Sequence, residues 1–221
     1  AEASWRRGEQ VAWLVQWTEA HACSNMLTWE VCHDVVTAET AAHNYCRYVE
    51  IPDHAEVAGP ADVFVSHAWG ARWGNLVSAV AEILTPETRV WIDLFAVRQW
   101  PGNAADLDFT GVVKRCRSLV VVIPSLPALR GKDSFYTRDS LAQLLAPADR
   151  RRLPFLRYWC LVEIAEAVVQ GLPVVCMGGT GGGALCGDSE KGEEESKAAS
   201  AGGGFIHDIN MLHLVSQCVD V

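Results

Sequence analysis

The chain lacks any run of about 18 consecutive apolar residues, the length a membrane-spanning helix needs, although 50% of its 221 residues are hydrophobic. That combination argues against a membrane partner and leaves ample apolar side chain for the core of one ordinary domain. The chain is also short of positive charge. Its 18 Lys and Arg face 27 Asp and Glu, a formal net charge of −9. Proteins that bind nucleic acid generally do so through basic surface, so this balance argues against a nucleic-acid partner. No apolar segment accompanies Trp5-Arg6-Arg7-Gly8, so the first residues do not read as a secretory signal.

Closely spaced cysteine pairs are missing too. The eight cysteines are scattered, and Cys160, Cys176 and Cys218 lie inside apolar runs. This suits buried free thiols in a reducing compartment better than a disulfide framework, and the expected location is cytoplasmic. Cys32, His33, His43 and Cys46 are the nearest approach to a metal cluster, but their spacing matches no zinc pattern, and no cofactor is expected. No GK[ST] sequence occurs, which excludes a P-loop. Gly179, Gly181 and Ala184 fit GxGxxA, yet they run into Gly187-Asp188-Ser189-Glu190-Lys191, a linker-like stretch, where a dinucleotide fingerprint would enter a hydrophobic helix.

What is present is an alternation of short apolar runs with helical patterns. Residues 5–50 read as helices: Trp13, Leu14 and Trp17 have helical spacing, and Thr28 is a candidate N-cap with Glu30 and Asp34 nearby. Trp5, Trp13, Trp17 and Trp29 read as packing residues. Residues 52–60, bounded by prolines, read as a linker. After them come four apolar runs, Asp62–Ser66, Arg89–Asp93, Leu119–Ile123 and Pro173–Met177. Such runs, too apolar to alternate, suit strands buried on both faces of a parallel sheet. Leu76–Leu84, Thr110–Cys116 and Trp159–Gln170 read as the helices between them. The predicted fold is α/β, a flavodoxin-like parallel sheet of about five strands flanked by helices. Its division is an N-terminal helical extension, 1–57, and an α/β domain, 58–221, in which 178–204 is a flexible loop rich in Gly, Ser and Glu. Asp208 is read as capping a further helix, and Val219–Val221 as the start of a last strand.

Ligands in such folds lie beyond the carboxyl ends of the strands. Ser66, His67 and Trp69 follow the first predicted strand; Asp93, Phe95 and Arg98 end the second; Ser125 follows the third. The last predicted helix opens with Trp159-Cys160-Leu161-Val162-Glu163. On a helical wheel Leu161, Ile164, Ala165 and Val168 form an apolar face, and Trp159, Glu163, Glu166 and Gln170 fall opposite. A tryptophan on a polar face needs a cover. Either Trp159 and Glu163 line a concave site, or Glu163 is a solvated helix carboxylate and Trp159 a packing residue. Asp93 reads equally as a loop-organising cap, and Arg150-Arg151-Arg152 as a solvated basic turn.

Asp62-Val63-Phe64-Val65-Ser66-His67 resembles the opening strand of Toll/interleukin-1 receptor (TIR) domains, and Val90-Trp91-Ile92-Asp93 resembles their second strand, just before the BB loop. Trp159-Cys160-Leu161-Val162-Glu163-Ile164 resembles the helix motif that carries the catalytic glutamate in NAD-cleaving members, and Ser66-His67-Ala68-Trp69 is similar to TIR-like domains of algae and other protists. The resemblance covers roughly residues 61–177. The segment 126–158 is longer than in compact members, and the loop 94–108 differs from the well-known BB loops. The resemblance implies a TIR fold and an NAD+ nucleosidase releasing nicotinamide and ADP-ribose, or a cyclic or variant form. It implies Glu163 as the catalytic carboxylate, and His67, Trp69, Asp93, Phe95, Arg98 and Trp159 around the substrate. Arg98 or the Arg150–Arg152 run would meet the pyrophosphate. NAD would be substrate and not cofactor, and a homo-oligomer formed through TIR–TIR contacts would be the active state. The other expectation from the same resemblance is a non-catalytic scaffold that binds TIR-like domains in innate-immune signalling.

Overall fold

The computed structural model describes residues 3–54, 57–124 and 143–179. In chain order the main elements are β1 (Glu9–Gln10), α1 (Val11–Ala20), α2 (Thr28–Val31), α3 (Thr37–Ala42), β2 (Val63–Ser66), α4 (Trp73–Ile83), β3 (Arg89–Trp91), α5 (Asp93–Ala96), α6 (Phe109–Val113), β4 (Ser118–Pro124), α7 (Pro147–Arg150), α8 (Tyr158–Val169) and β5 (Val174–Gly179). All four apolar runs are strands. They form one five-stranded sheet, ordered β1-β3-β2-β4-β5. The pairs β3–β2, β2–β4 and β4–β5 are parallel, and β1 joins the β3 edge antiparallel. The parallel strands therefore follow the flavodoxin-like order, with the direction of winding reversing between β2 and β4. The fold is α/β, as the sequence predicts.

The two faces of the sheet divide by residue parity. Val63, Val65, Val90, Ile92, Val120 and Val122 pack on one side with α1 and α4. Phe64, Trp91, Leu119, Val121 and Ile123 pack on the other with α6 and α8. Period-2 alternation of side chains makes this split unavoidable once both faces are covered. Each fully buried side chain of this kind, such as Leu14 or Ile92, contributes on the order of 1.5–3 kcal/mol.

Residues 1–57, expected as an extension, do not form a separate layer where they are described. β1 extends the sheet, with Glu9 opposite Val90 and Gln10 opposite Arg89. Val11, Leu14 and Trp17 enter the same hydrophobic cluster as Val63 and Val65. Two hydrogen bonds fasten the join: Trp73 Nε1 donates to Thr18 Oγ1 (2.9 Å), and Trp100 Nε1 to Thr40 Oγ1 (3.0 Å). Indole N–H groups that pack into the seam need such acceptors. Thr28 is not the N-cap of α2. Leu27 takes that position, its N–H donating to Glu30 Oε2 (2.7 Å), while the Thr28 hydroxyl donates to the Ala71 carbonyl. Trp29 is half exposed and not a core residue. Ser125, the loop 180–204 beyond β5, and the predicted elements at Asp208 and Val219–Val221 lie outside the described residues.

Candidate functional site

The reversal of winding between β2 and β4 leaves a crevice at the carboxyl ends of the strands. Ser66 and His67 stand at the end of β2, and Asp93 opens α5 one residue beyond the extended Ile92. Helix α8, in the crossover from β4 to β5, passes over the same crevice. Its inward stripe is Cys160, Glu163, Ile164 and Ala167, a spacing of i, i+3, i+4, i+7. The wheel predicted from sequence selects Leu161, Ile164, Ala165 and Val168, one residue further on. One residue is about 100° of rotation, and that rotation carries Glu163 from the polar face into the protein, where it is 5% exposed. The solvated-carboxylate reading of Glu163 therefore falls.

Glu163 borders a cavity of about 260 Å³. Trp69, Trp91, Phe109 and Trp159 supply aromatic walls, and His67, Asp93 and Arg157 supply polar groups. Trp159 is 45% exposed and stands edge-on to Phe109, ring centroids 5.5 Å apart. It is a wall of the cavity, not a buried packing residue. Trp69 Nε1 donates to Asp93 Oδ2 at 2.9 Å, which fixes the indole over the cavity. His67 Nε2 lies 3.8 Å from Asp93 Oδ1, too far for a hydrogen bond.

Three buried polar atoms here hold no hydrogen bond among the described residues: His67 Nε2, Asp93 Oδ1 and Glu163 Oε2. Buried polar atoms are nearly always satisfied, so three such atoms around one cavity are donors and acceptors that a polar ligand can use. Burial pushes the Glu163 carboxyl up to about 8; the nearby Asp93 charge adds to this, and the Ser66 hydroxyl and Arg157 oppose it. Burial likewise lowers the His67 imidazole below its ordinary value, with Asp93 opposing. Burial therefore favours a neutral imidazole at His67 and, at neutral pH, the protonated form of Glu163. Cys160 is no nucleophile. Its thiol donates to the His67 carbonyl (3.4 Å), and burial, aided by the Glu163 charge, pushes it up to about 12.

Not every predicted site residue comes to this cavity. Phe95 is buried in the other face of the protein, edge-on to Trp13, Trp17 and Trp73. Its role is packing. Arg98 is not among the cavity-lining residues; its backbone N–H donates to Asp106 Oδ2 at 3.1 Å. Arg150, Arg151 and Arg152 line a second, adjacent cavity that shares Trp69 and Arg157 with the first. Sequence reading did not single out Arg157, Phe109, Gln99 or Asn103. Gln99 and Asn103 shape the loop after α5: Gln99 Nε2 donates to the Asp93 carbonyl (3.0 Å), and Asn103 Nδ2 to the Arg98 carbonyl (2.9 Å). Side-chain amides in a loop are the signal that would have found them. Arg157 has a weaker one, a cation at the residue before a helix, where acids are the rule.

Among the described residues no group of three or more His, Cys, Asp or Glu is placed to hold a metal ion. No helix among them is long and apolar enough to cross a membrane. Compared with known protein families, curated proteins and solved structures, the chain shows no significant match.

Proposed function

We propose that the chain is a TIR-like NAD+ nucleosidase in which Glu163 acts on the bond between ribose and nicotinamide. The observation that carries the proposal is a buried glutamic acid whose Oε2 is unpartnered and which lines an aromatic-walled cavity. A perturbed acid in a cleft is the physical mark of a reacting group. The volume, about 260 Å³, falls just under the range of roughly 300–1,000 Å³ typical of ligand pockets, so it suits one ring and its sugar.

The chemistry needs a single carboxylate. Nicotinamide in NAD+ is a pyridinium cation, and when its bond to ribose C1′ breaks the electron pair goes to the ring nitrogen. The leaving group is then neutral and needs no general acid, unlike the leaving oxygen of an ordinary glycoside. Positive charge passes to the ribose, and a carboxylate beside C1′ stabilises it. Water adds to C1′, and its proton passes to solvent. Burial by itself disfavours the Glu163 charge; a cationic ring entering the cavity reverses that balance and favours the carboxylate, its proton passing to solvent. Trp159 and Trp69 offer faces for the pyridinium to stack on. Activity is expected to depend on self-association, with a second copy contributing to the site.

The test is nicotinamide release from NAD by the concentrated chain, compared with Glu163→Gln. Release lost in the variant supports the reading, and release unaffected by it removes Glu163 from the chemistry. NAD binding without release marks a nucleotide sensor. Neither binding nor release leaves the non-catalytic scaffold, the reading to which self-association would then belong.

A further inference from the structure

The second cavity measures about 1050 Å³, and Arg72, Arg150, Arg151, Arg152 and Arg157 all line it. Five guanidinium groups around one cavity are unexpected on a chain of formal net charge −9. Little opposes them. Among the described residues the one carboxylate paired with any of the five is Asp149, 3.2 Å from Arg152 Nη1. Arg150 Nε donates to the Leu145 carbonyl (2.8 Å) and Arg72 Nη1 to the Asn25 carbonyl (3.1 Å), which orient those two side chains. Each guanidinium has five N–H groups, so most donors remain for another acceptor. The side chains of Arg151 and Arg157 hold no hydrogen bond or ion pair among the described residues. The segment is fixed closely to the loop after β2: a Cβ on Gly70 would lie 2.7 Å from the Arg151 carbonyl oxygen.

The same cavity has two indole walls, Trp29 and Trp69. Trp29 is 50% exposed, an arrangement that leaves a large ring face without a cover. Guanidinium forks match phosphate oxygens, and tryptophan faces match a base. We infer that this cavity is a binding site for a nucleotide bearing a diphosphate, the arginines taking the phosphates and Trp29 or Trp69 the base. The volume lies just above the range of roughly 300–1,000 Å³ for small-molecule sites, ample for a nucleoside diphosphate. This inference stands on the arginine cavity alone and does not require Glu163 to be catalytic. If both readings hold, the shared walls Trp69 and Arg157 let one dinucleotide occupy both cavities.

Calorimetric titration of the full chain with ADP, adenosine and inorganic pyrophosphate tests it. ADP is expected to bind at least tenfold more tightly than adenosine and more tightly than pyrophosphate. The ADP affinity is expected to fall at least tenfold in Arg151→Gln/Arg152→Gln. Arg151→Gln alone serves as a second variant, since that side chain holds no internal bond among the described residues; a fall of at least threefold is expected, with the circular dichroism spectrum retained. Equal binding of ADP and adenosine, pyrophosphate binding as tight as ADP, undiminished ADP binding by the double variant, or no ADP binding at all would each overturn the inference. Nicotinamide release, measured separately, reports on Glu163, so the two readings fail independently.

Discussion

Two buried carboxyl groups, Asp106 and Glu163, are treated in opposite ways by the same fold. Asp106 accepts hydrogen bonds from Arg7 Nη1 (3.0 Å), Arg47 Nε (2.9 Å), Arg47 Nη2 (2.6 Å) and the Arg98 backbone (3.1 Å). Burial by itself would raise its pKa, but the bonds from Arg47 and Arg98 and the charges of Arg47 and Arg7 together hold it below the ordinary carboxylate value. It staples the amino-terminal segment to the loop after α5, and its bonding capacity is used. Glu163 has an oxygen without a partner, and burial pushes its pKa up to about 8. One acid is consumed by the architecture, the other left available. Glu9 refines the lesson. It too is buried without a hydrogen bond and pushed up to about 8 by burial, with Arg89 opposing, yet it sits on an edge strand and lines neither cavity. A perturbed acid marks a site only where there is also room for a ligand.

The comparison breaks most visibly at Asp106. Asp106→Ala leaves Arg7 and Arg47 buried without their anion, and a loss of about 3–5 kcal/mol in urea unfolding is expected. A loss below about 1 kcal/mol would show that water replaces the pair and that the network is not structural.

Glu163→Gln is expected to reverse the pattern. Nicotinamide release should fall by about 10²–10³-fold, while stability at neutral pH is kept or raised, because the amide removes a group whose charge the interior opposes. A variant that unfolds more readily and still turns over NAD at the wild-type rate would make Glu163 a structural residue like Asp106.

The two acids also predict opposite dependences on pH. The folded-state pKa of Glu163 is raised, so its contribution to stability is full below the unfolded carboxyl pKa, declines through the pH range above it, and is gone above about 8. Asp106 is lowered, so its contribution is present above the unfolded value and lost as acid protonates the folded form. Thermal melting across pH should show Glu163→Gln flattening the decline between about pH 5 and 8, with the part due to Glu9 remaining. In kinetics, kcat/KM reports the free enzyme and should climb as Glu163 ionises, reaching half its maximum near pH 8 and levelling above that. A profile flat from pH 6 to 9 counts against an ionised Glu163 as the reacting form.

The smallest effect is expected at Trp159. Trp159→Ala loses an edge contact with Phe109 on a half-exposed ring, a change of about 0.5–1.5 kcal/mol in stability. A rise in KM for NAD larger than the fall in kcat would mark it as a stacking wall.

Much of the fold is legible in the sequence. Val63–Ser66, Arg89–Trp91, Ser118–Pro124 and Val174–Gly179 are each marked by β-branched runs bounded by polar or turn residues, and the helices between them by their own spacing. The amino-terminal strand Glu9–Gln10 is not legible. Two residues carry no periodicity, and their pairing with Val90 and Arg89 depends on a neighbour some 80 residues away. The candidate site was half legible. Glu163, His67, Trp69, Asp93 and Trp159 do meet at one cavity, because strand ends in a parallel sheet converge at the point where its winding reverses. Phe95 was misplaced because α5 is a single turn that directs Phe95 into the cluster around Trp13 and Trp17. Arg98 was misplaced because its backbone is held by Asp106.

By itself the sequence determined the strands, their α/β alternation and the helix that carries Glu163, since these follow from local periodicity and side-chain shape. Which face of that helix turns inward was decided by tertiary structure alone. The stripe Leu161, Ile164, Ala165 and Val168 is the more apolar, yet Cys160, Glu163, Ile164 and Ala167 are the buried ones. A helical wheel weighs only the helix. The rotation of α8 is set by what it packs against, α6 on one side and the ends of β2 and β4 on the other, and that environment places an acid where an isolated helix would not.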